Sequence, residues 1–332
     1  MLKMRLLLGT ILVLACALGI GIATVSEAPA SPSATDLTLV AYSTPRDAYA
    51  KLTSAFRATP AGRDVAFEES YGSSGEQARA VLSGLQADIV ALSLEPDVMT
   101  LVRRGLVPAN WNKDAYKGMV TRSVVVFVVR DGNPKKIRDW KDLIRPGVEV
   151  VTPNVQTSGG AKWNVMAAYG AQLRAKKTHR QAVDYLRQLY RHVVSQDKSA
   201  REALQTFLAG RGDVLLAYEN EAIFARQKGQ DTPFVIPKAT IRIENPIALT
   251  TAGRSKPAAR AFLRYLRTKA AQRIFAENGY RPVLPSATKG FSFPVRRQLF
   301  TIGYLGGWKQ VDSRFFHPRN GIVTKIQADV GS

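Results

Sequence analysis

The sequence is poor in the residues that most often carry metal and redox chemistry. It has one cysteine, Cys16, and three histidines in 332 residues. A single cysteine excludes an intrachain disulfide and a zinc site built from several cysteines. Acidic residues are also scarce, because 26 Asp and Glu stand against 47 Lys and Arg, which gives a formal net charge of +21. The remaining composition, with 45% hydrophobic residues, is globular and excludes a disordered chain, a collagen and a coiled coil.

The excess of positive charge indicates an anionic partner of some kind. Charge alone does not choose among nucleic acid, an acidic surface and a small anionic ligand. The basic residues are scattered through predicted helices such as residues 174–191 and 260–273. No basic block is interleaved with the stacking aromatics that single-strand binders need. We therefore expect no nucleic-acid partner.

The first 30 residues have the pattern of an export signal. Lys3 and Arg5 precede an uncharged apolar run over residues 6–25, and a small-residue cleavage pattern ends at Ala30. The run is also long enough for an uncleaved membrane anchor. A third interpretation takes Cys16 as the lipidated cysteine of a lipobox, although the apolar run continues beyond it. In each case a linker at residues 31–35 follows, and we expect an exported body in the periplasm or on the outer face of the cytoplasmic membrane.

From residue 37 onwards, short apolar strands alternate with amphipathic helices. The apolar patterns at residues 37–42 and 89–94 predict strands. The run SVVVFVVR at residues 123–130 has the strongest strand pattern of the chain. Alternation of this kind predicts an α/β fold, with a parallel or mixed sheet covered by helices. At about 300 residues, two such sheets are expected rather than one.

Three loops share a design in which small residues precede a predicted helix. They span residues 71–77, 153–164 and 196–202. A helix N-terminus has unpaired backbone N–H groups and a partial positive charge, so it binds anions. Each loop taken singly is also compatible with an ordinary helix cap. Three of them at the carboxyl ends of strands predict a shared anion pocket.

No catalytic motif accompanies this pocket. The stretch Gly72–Glu76 lacks the last glycine of a nucleophile elbow, and Thr157–Lys162 lacks the spacing of a phosphate-binding P-loop. The three histidines are isolated in sequence: His179, His192 and His317. We therefore predict a binding protein with no catalytic residue, no metal and no cofactor. Two alternatives stay open, a secreted hydrolase using Ser74 or Ser158 and an adhesion protein using the tripeptide at residues 211–213.

Several longer motifs point to one family. The chain resembles the sulfate-binding proteins of bacterial ABC transporters, which are type II periplasmic binding proteins, over nearly all of its length beyond the export signal. The matching stretches are Gly72–Gln77, Leu94–Val98, Gly132–Lys135, Trp140–Val148, Ser158–Asn164 and Gly212–Ala222. The resemblance implies a two-lobed fold, each lobe a mixed sheet flanked by helices, with the ligand in the cleft between the lobes. It also implies delivery of the ligand to an ABC permease, and we expect a monomer.

The resemblance also implies the site residues. In the family, neutral donors hold dehydrated sulfate. The matching positions here are Ser74, the hydroxyl of Ser158, the N–H groups of Gly159, Gly160 and Ala200, and Tyr218. The family has a tryptophan N–H donor where this chain has Tyr218, whose hydroxyl both donates and accepts. This difference leaves thiosulfate, molybdate and tungstate open as alternative ligands.

Two further positions depart from the family pattern. Ser43 stands where the family often has Asp, and Lys162 replaces an Arg that lies near an acid at the position of Asp97. We hypothesise that Lys162 and Asp97 form a latch across the cleft, weaker than an Arg pair because Lys cannot bond in a bidentate manner. For the lobes we expect residues 36–121 with 247–300 in lobe one and 122–246 in lobe two. The tail at 301–332 is expected to cross back.

Overall fold

The computed structural model describes residues 35–294 and 298–331. The predicted export signal, anchor or lipobox at Cys16 lies outside the described residues. The strands in the described part are β1 (Thr35–Tyr42), β2 (Val65–Gly72), β3 (Ile89–Ala91), β4 (Met119–Val129), β5 (Val150–Pro153), β6 (Val193–Asp197), β7 (Val214–Tyr218), β8 (Phe234–Val235), β9 (Ala239–Leu249), β10 (Arg281–Pro282) and β11 (Gln298–Phe300).

The helices of the same residues alternate with these strands. They are α1 (Arg46–Arg57), α2 (Ser74–Leu82), α3 (Glu95–Arg103), α4 (Gly159–Arg174), α5 (His179–Arg191), α6 (Ala200–Leu208), α7 (Glu219–Gln227), α8 (Thr251–Ser255), α9 (Pro257–Tyr265), α10 (Lys269–Glu277), α11 (Gly307–Phe315) and α12 (Ile322–Val330). Short 3₁₀ helices occur at Trp140–Ile144, Pro285–Ala287 and Ile302–Leu305. Within the part of the chain that the structure describes, no helix combines the length and the apolar character needed to cross a membrane.

Hydrogen bonds join the described strands into one continuous mixed sheet of eleven strands. The order along the path is β2-β1-β3-β9-β4-β7-β5-β6. In lobe one β1 is parallel to β2 and β3, and in lobe two β5 is parallel to β6 and β7. The long strands β4 and β9 run antiparallel to each other and to their other neighbours β7 and β3. The α/β prediction is confirmed, whereas the two predicted sheets form one continuous sheet in which β4 and β9 connect the lobes.

Helices cover both faces of the sheet in each lobe. Along β4, Val124, Val126 and Val128 belong to one hydrophobic cluster with Phe207, whereas their neighbours Val125, Phe127 and Val129 belong to another. Successive residues of a strand point to opposite faces, so this alternation means that both faces of the lobe-two sheet are buried. Residues 37–41 of β1 divide in the same way between two clusters in lobe one. The continuous apolar run of β4 is thus explained by burial on both sides.

The chain returns to lobe two earlier than the sequence analysis placed the boundary. Strand β11 pairs in parallel with residues 239–241 of β9, and Phe300 lies in a lobe-two cluster. The boundary at residue 300 is therefore too late, because the pairing of β11 already belongs to lobe two. Helix α11 continues there, where Trp308 packs edge-on against Trp163 with ring centres 4.7 Å apart.

Candidate functional site

One small cavity lies where the two lobes meet. Its volume, counted as the space open to the centre of a water molecule, is about 10 Å³. This is about the minimum volume that one water molecule needs. All six residues proposed from the sequence line it, together with five that the sequence analysis did not propose as ligand-binding residues. The full lining is Tyr42, Ser43, Thr44, Ser73, Ser74, Ser93, Ser158, Gly159, Gly160, Ala200 and Tyr218.

The lining carries no ionisable acid or base of the Asp, Glu, Lys, Arg or His type. Its polar groups are hydroxyls and backbone amides, and the first residues of three helices contribute: Ser74 of α2, Gly159 of α4 and Ala200 of α6. The first N–H groups of a helix have no partner within the helix and carry a partial positive charge. Ser73 and Ser158 precede α2 and α4 without making a side-chain cap bond. The cavity is therefore suited to an anion held by neutral donors.

Gly159 lies where no side chain fits. A Cβ there would meet Leu94, and it would lie 2.7 Å from the Ser93 hydroxyl oxygen. Gly159 belongs to lobe two, whereas Ser93 and Leu94 follow β3 in lobe one. The glycine allows the backbone of α4 to approach the opposite lobe closely. A backbone bond from the Gly75 N–H to the Thr157 carbonyl, 2.9 Å long, also crosses between the lobes beside the cavity.

The hydroxyl of Ser74 is already engaged inside lobe one. Its Oγ accepts a 2.9 Å hydrogen bond from the Ser93 N–H and donates one of 2.5 Å to Oδ2 of Asp97. Burial raises the pKa of the Asp97 carboxyl, and the nearby Lys162 ammonium opposes that rise. This arrangement leaves the backbone N–H of Ser74, at the start of α2, as its free donor toward the cavity.

Two tyrosines bring hydroxyls to the cavity. The Tyr218 hydroxyl lies 2.6 Å from Oγ of Ser93, and either oxygen is able to donate. The Tyr42 hydroxyl is buried and has no hydrogen-bond partner within the described chain. Burial raises the pKa of both phenols, so both stay neutral and keep their protons. Sequence reasoning missed Tyr42 and Ser93, although both lie at the carboxyl ends of strands, the edge where open sheets bind ligands.

The latch proposed between Lys162 and Asp97 does not form as a direct ion pair. The ammonium of Lys162 instead lies 2.8 Å from a carboxylate oxygen of Asp312 on α11. Asp97 is satisfied by Ser74, as described above. The tail thus supplies the nearer carboxylate, a contact over 150 positions of sequence that motif comparison does not reveal.

Arg201 makes one of several ionic contacts between the lobes, beside those of Lys198, Lys228 and Arg281. It follows Ala200 at the start of α6, and it donates two bonds of 2.8 and 2.9 Å to the carboxylate of Glu221. One guanidinium nitrogen also donates to the Thr44 carbonyl of lobe one at 3.0 Å, and another lies 3.5 Å from Asp47. Burial raises the pKa of Glu221, and Arg201 opposes the rise. Arg201 therefore ties the third anion loop to the first strand–helix turn of lobe one.

The histidines do not contribute to this cavity. Nδ1 of His179 lies 2.8 Å from the Tyr169 hydroxyl, and Nδ1 of His192 lies 2.9 Å from the Val148 carbonyl. His317 contacts the backbone of its own turn near residue 319. None of the three lines the cavity, so neither Ser74 nor Ser158 has a histidine base beside it.

Comparison with known proteins gives consistent matches. A family model described as bacterial extracellular solute-binding protein matches residues 37–281. The sulfate-binding protein of Synechococcus elongatus is 40% identical over 316 residues, which cover 92% of this chain and 90% of that protein. The thiosulfate-binding protein of Pseudomonas aeruginosa is 33% identical, covering 86% of this chain and 91% of its own. The solved structure of the sulfate-binding protein SubI from Mycobacterium tuberculosis H37Rv is 44% identical and superimposes with a TM-score of 0.82, covering 85% of this chain and all of that one.

Proposed function

We propose that this chain, which belongs to the bacterial extracellular solute-binding proteins, captures sulfate and delivers it to an ABC permease for uptake. The observation that carries the proposal is the cavity lining of eleven residues, which includes the first residues of three helices and five serines but no charged side chain. Relatives named for sulfate binding support the choice of ion.

The chemistry of the lining favours a fully ionised oxyanion. Sulfate has no proton at neutral pH, so it needs donors only. Hydrogen phosphate carries a proton, and leaving that proton without an acceptor costs about 1–3 kcal/mol. Five or six charge-assisted bonds of roughly 1.5–3 kcal/mol each offset desolvation well enough for micromolar binding, about −8 kcal/mol. Thiosulfate shares the charge and most of the shape, so it is the second candidate, favoured by the thiosulfate-binding relatives.

Binding is proposed to close the lobes around the ion. Ser74 contributes its backbone N–H from lobe one, while Ser158, Gly159, Gly160 and Ala200 contribute from lobe two, with Tyr218 beside them. Arg201 is proposed to stabilise the closed form in place of the Lys162–Asp97 latch, because its contacts with Thr44 and Asp47 require the lobes to be together. Closure of this hinge type traps the ligand between two rigid halves.

The protein is proposed to act as a monomer outside the cytoplasm and not as an enzyme. The relatives that match nearly the whole chain are named as binding proteins. The cavity has serine hydroxyls but no histidine base, which a serine nucleophile needs for activation. The hydrolase and adhesion alternatives therefore have no supporting contact in the described chain.

Calorimetric titration with sulfate, thiosulfate, molybdate and phosphate tests the proposal. We expect micromolar or tighter binding of sulfate, weaker binding of phosphate, and about tenfold weaker sulfate binding by Ser158→Ala. Ser54→Ala, an exposed serine on α1, is the matched control and should bind as the parent does. Absence of heat with all four ions would contradict the proposal. Turnover of a chromogenic ester that is lost in Ser74→Ala would establish the hydrolase instead.

A further inference from the structure

Close to half of the net positive charge is concentrated in two short segments. Residues 101–118 and 251–276 together carry eleven Lys or Arg residues and a single acid, Asp114, a net charge of +10 out of +21. The second segment alone has seven basic residues and no acidic one. The remaining positive charge is spread over the rest of the chain.

The two segments lie side by side at one end of lobe one. The Thr251 N–H donates to the Leu106 carbonyl at 2.8 Å, and the Thr251 hydroxyl donates to the Gly105 carbonyl at 2.8 Å. An Arg254 guanidinium nitrogen donates to the Asn110 amide oxygen at 3.1 Å. The Arg267–Asp114 ion pair also joins the two segments. The segments therefore form one surface, made by the end of α3, the loop after it, and helices α8, α9 and the start of α10.

Most cations on this surface have no counter-charge among the residues that the structure describes. Lys256 pairs with Asp88, and Arg267 pairs with Asp114. The exposed basic residues, which we call the basic face, make no ion pair within the described residues: Arg103, Arg104, Lys113, Lys117, Arg254, Arg260, Arg264 and Lys269. Arg260 and Arg264 are four positions apart on α9, so they project from the same side of the helix. Like charges held together repel one another, and an external anionic surface relieves that repulsion.

The Lys256–Asp88 pair, which borders the basic face, lies at the opposite end of β3 from the ligand cavity. Asp88, which pairs with Lys256, precedes β3, and Ser93, which lines the cavity, follows it. Five residues of extended chain span about 17 Å. Charges farther apart than about 8 Å are largely screened from each other in physiological salt. Steering of sulfate into the cavity therefore does not account for the basic face.

The geometry points to a docking surface for an anionic membrane. Extracellular family membership places the body on the side where the outer leaflet presents phospholipid headgroups. The face combines eight exposed, flexible cationic side chains on connected helices, which matches a laterally extended negative surface. The inference rests on family membership and on the charge of the basic face, so it stands whichever oxyanion the cavity binds.

Vesicle co-sedimentation tests the inference. All four hydrophobic clusters lie between residues 37 and 326, so the body that starts at residue 34 carries its own core and is the protein used. Two kinds of vesicle are used as probes. One is pure phosphatidylcholine, and the other is phosphatidylcholine with about 30% of the anionic lipid phosphatidylglycerol. We expect binding to the anionic vesicles only, and its loss on raising NaCl from about 50 to 300 mM.

Two matched quadruple variants locate the binding. In the first, Arg254, Arg260, Arg264 and Lys269 are changed to Gln, and affinity for anionic vesicles should fall about tenfold or more. In the second, exposed residues of lobe two are changed to Gln, with the same loss of charge: Arg174, Lys176, Lys177 and Arg180. The second variant should bind within about twofold of the parent. Unchanged melting temperatures confirm that both variants fold.

Three outcomes would overturn the inference. Equal loss in the two variants would mean that only the total charge matters. Equal binding to neutral and anionic vesicles would mean that headgroup charge is not recognised. Failure to sediment with anionic vesicles at low salt would exclude the membrane and leave an acidic protein as the partner of this face.

Discussion

The cavity and the basic face both suit anions, but they do so by opposite means. The cavity is buried between the lobes and presents hydroxyls and helix N–H groups without a charged side chain. The basic face is exposed, presents eight unpaired cations, and lies at the far end of lobe one. Fixed dipoles act at short range and in a defined geometry, so they select one small ion. Exposed cations act over a longer range with little geometric demand, so they suit an extended surface and weaken with salt.

The difference shows that the net charge of this protein lies on its outer surface and not in its ligand cavity. A cation inside the cavity would bind any anion strongly and would need a counter-ion whenever the ligand was absent. Neutral donors avoid this cost, because the orphan N–H groups of a helix start are tolerated in a small polar cavity. The +21 charge of the chain therefore says little about the ligand and more about the outer surface.

The largest expected effect comes from closing the cavity sterically. Gly159→Ala should weaken sulfate binding by about 100-fold or more, because the new Cβ meets Leu94 and Ser93 of the opposite lobe. Calorimetric titration measures the change. The basic face is untouched, so vesicle binding should not alter.

Gly303→Ala serves as the control for Gly159→Ala. A Cβ at Gly303 would meet only the Thr301 hydroxyl at 3.4 Å, so affinity should stay at the parental value. Parental sulfate affinity in Gly159→Ala would contradict the idea that close approach of α4 to lobe one shapes the site.

The next effect concerns the ionic contact beside the cavity. Arg201→Ala should lower the free energy of unfolding by about 3 kcal/mol at pH 7.5, because it leaves the buried carboxylate of Glu221 without its partner. Urea unfolding measures the loss. Arg187→Ala removes partly exposed ion pairs with Asp184 and Asp329 and should cost less than about 1 kcal/mol, which makes it the control.

The loss in Arg201→Ala should shrink at low pH. Burial raises the pKa of Glu221, and removal of Arg201 raises it further. A carboxyl whose pKa is higher in the folded state binds more protons there, so the folded state gains stability as the pH falls. The deficit of the variant should therefore be smaller at pH 5.0 than at pH 7.5. An equal deficit at both values would show that Glu221 does not carry the effect.

A third, smaller effect tests the hydroxyl that replaces the family tryptophan. Tyr218→Phe should weaken sulfate binding about tenfold, because it removes one donor from the cavity and frees the Ser93 hydroxyl from its 2.6 Å contact. Ser93→Ala and the double variant complete the cycle. Additive losses would show that the two hydroxyls act independently, against the paired arrangement seen in the structure.

Much of the fold was predictable, because local signals and packing agree. The apolar run at residues 123–130 marks β4 directly, and the predicted helical residues 260–273 divide between α9 and α10, where Thr268 caps the second helix. Strand β6 was missed, since Val193–Asp197 is partly polar and only half-buried. Its identity depends on pairing with β5, which sequence periodicity does not show.

The site was predictable to the extent that it is made of local motifs. Three loops before helices marked the segments, the family resemblance implied Ser74, Gly159 and Ala200 within them, and all three residues line the cavity. The partner of Lys162 was wrong, because Asp312 lies on a tail helix 150 positions away and its contact depends on how α11 packs. Tyr42 was not predicted for the same reason. Its sequence pattern is that of an ordinary core tyrosine, and it borders the cavity only because the two lobes pack against each other there.

The smallest expected effect would show most directly that the cavity and the basic face are independent. The quadruple Gln variant changes Arg254, Arg260, Arg264 and Lys269. Its Kd for sulfate should differ from the parental value by less than about twofold, because the Lys256–Asp88 pair beside this face is about 17 Å of extended chain from the cavity. Titration at about 50 mM NaCl, where screening is weakest, gives the most demanding measurement. A loss of tenfold at low salt, restored at 300 mM NaCl to the parental value, would mean that the basic face steers the ligand after all, and that the two regions act on the same ion.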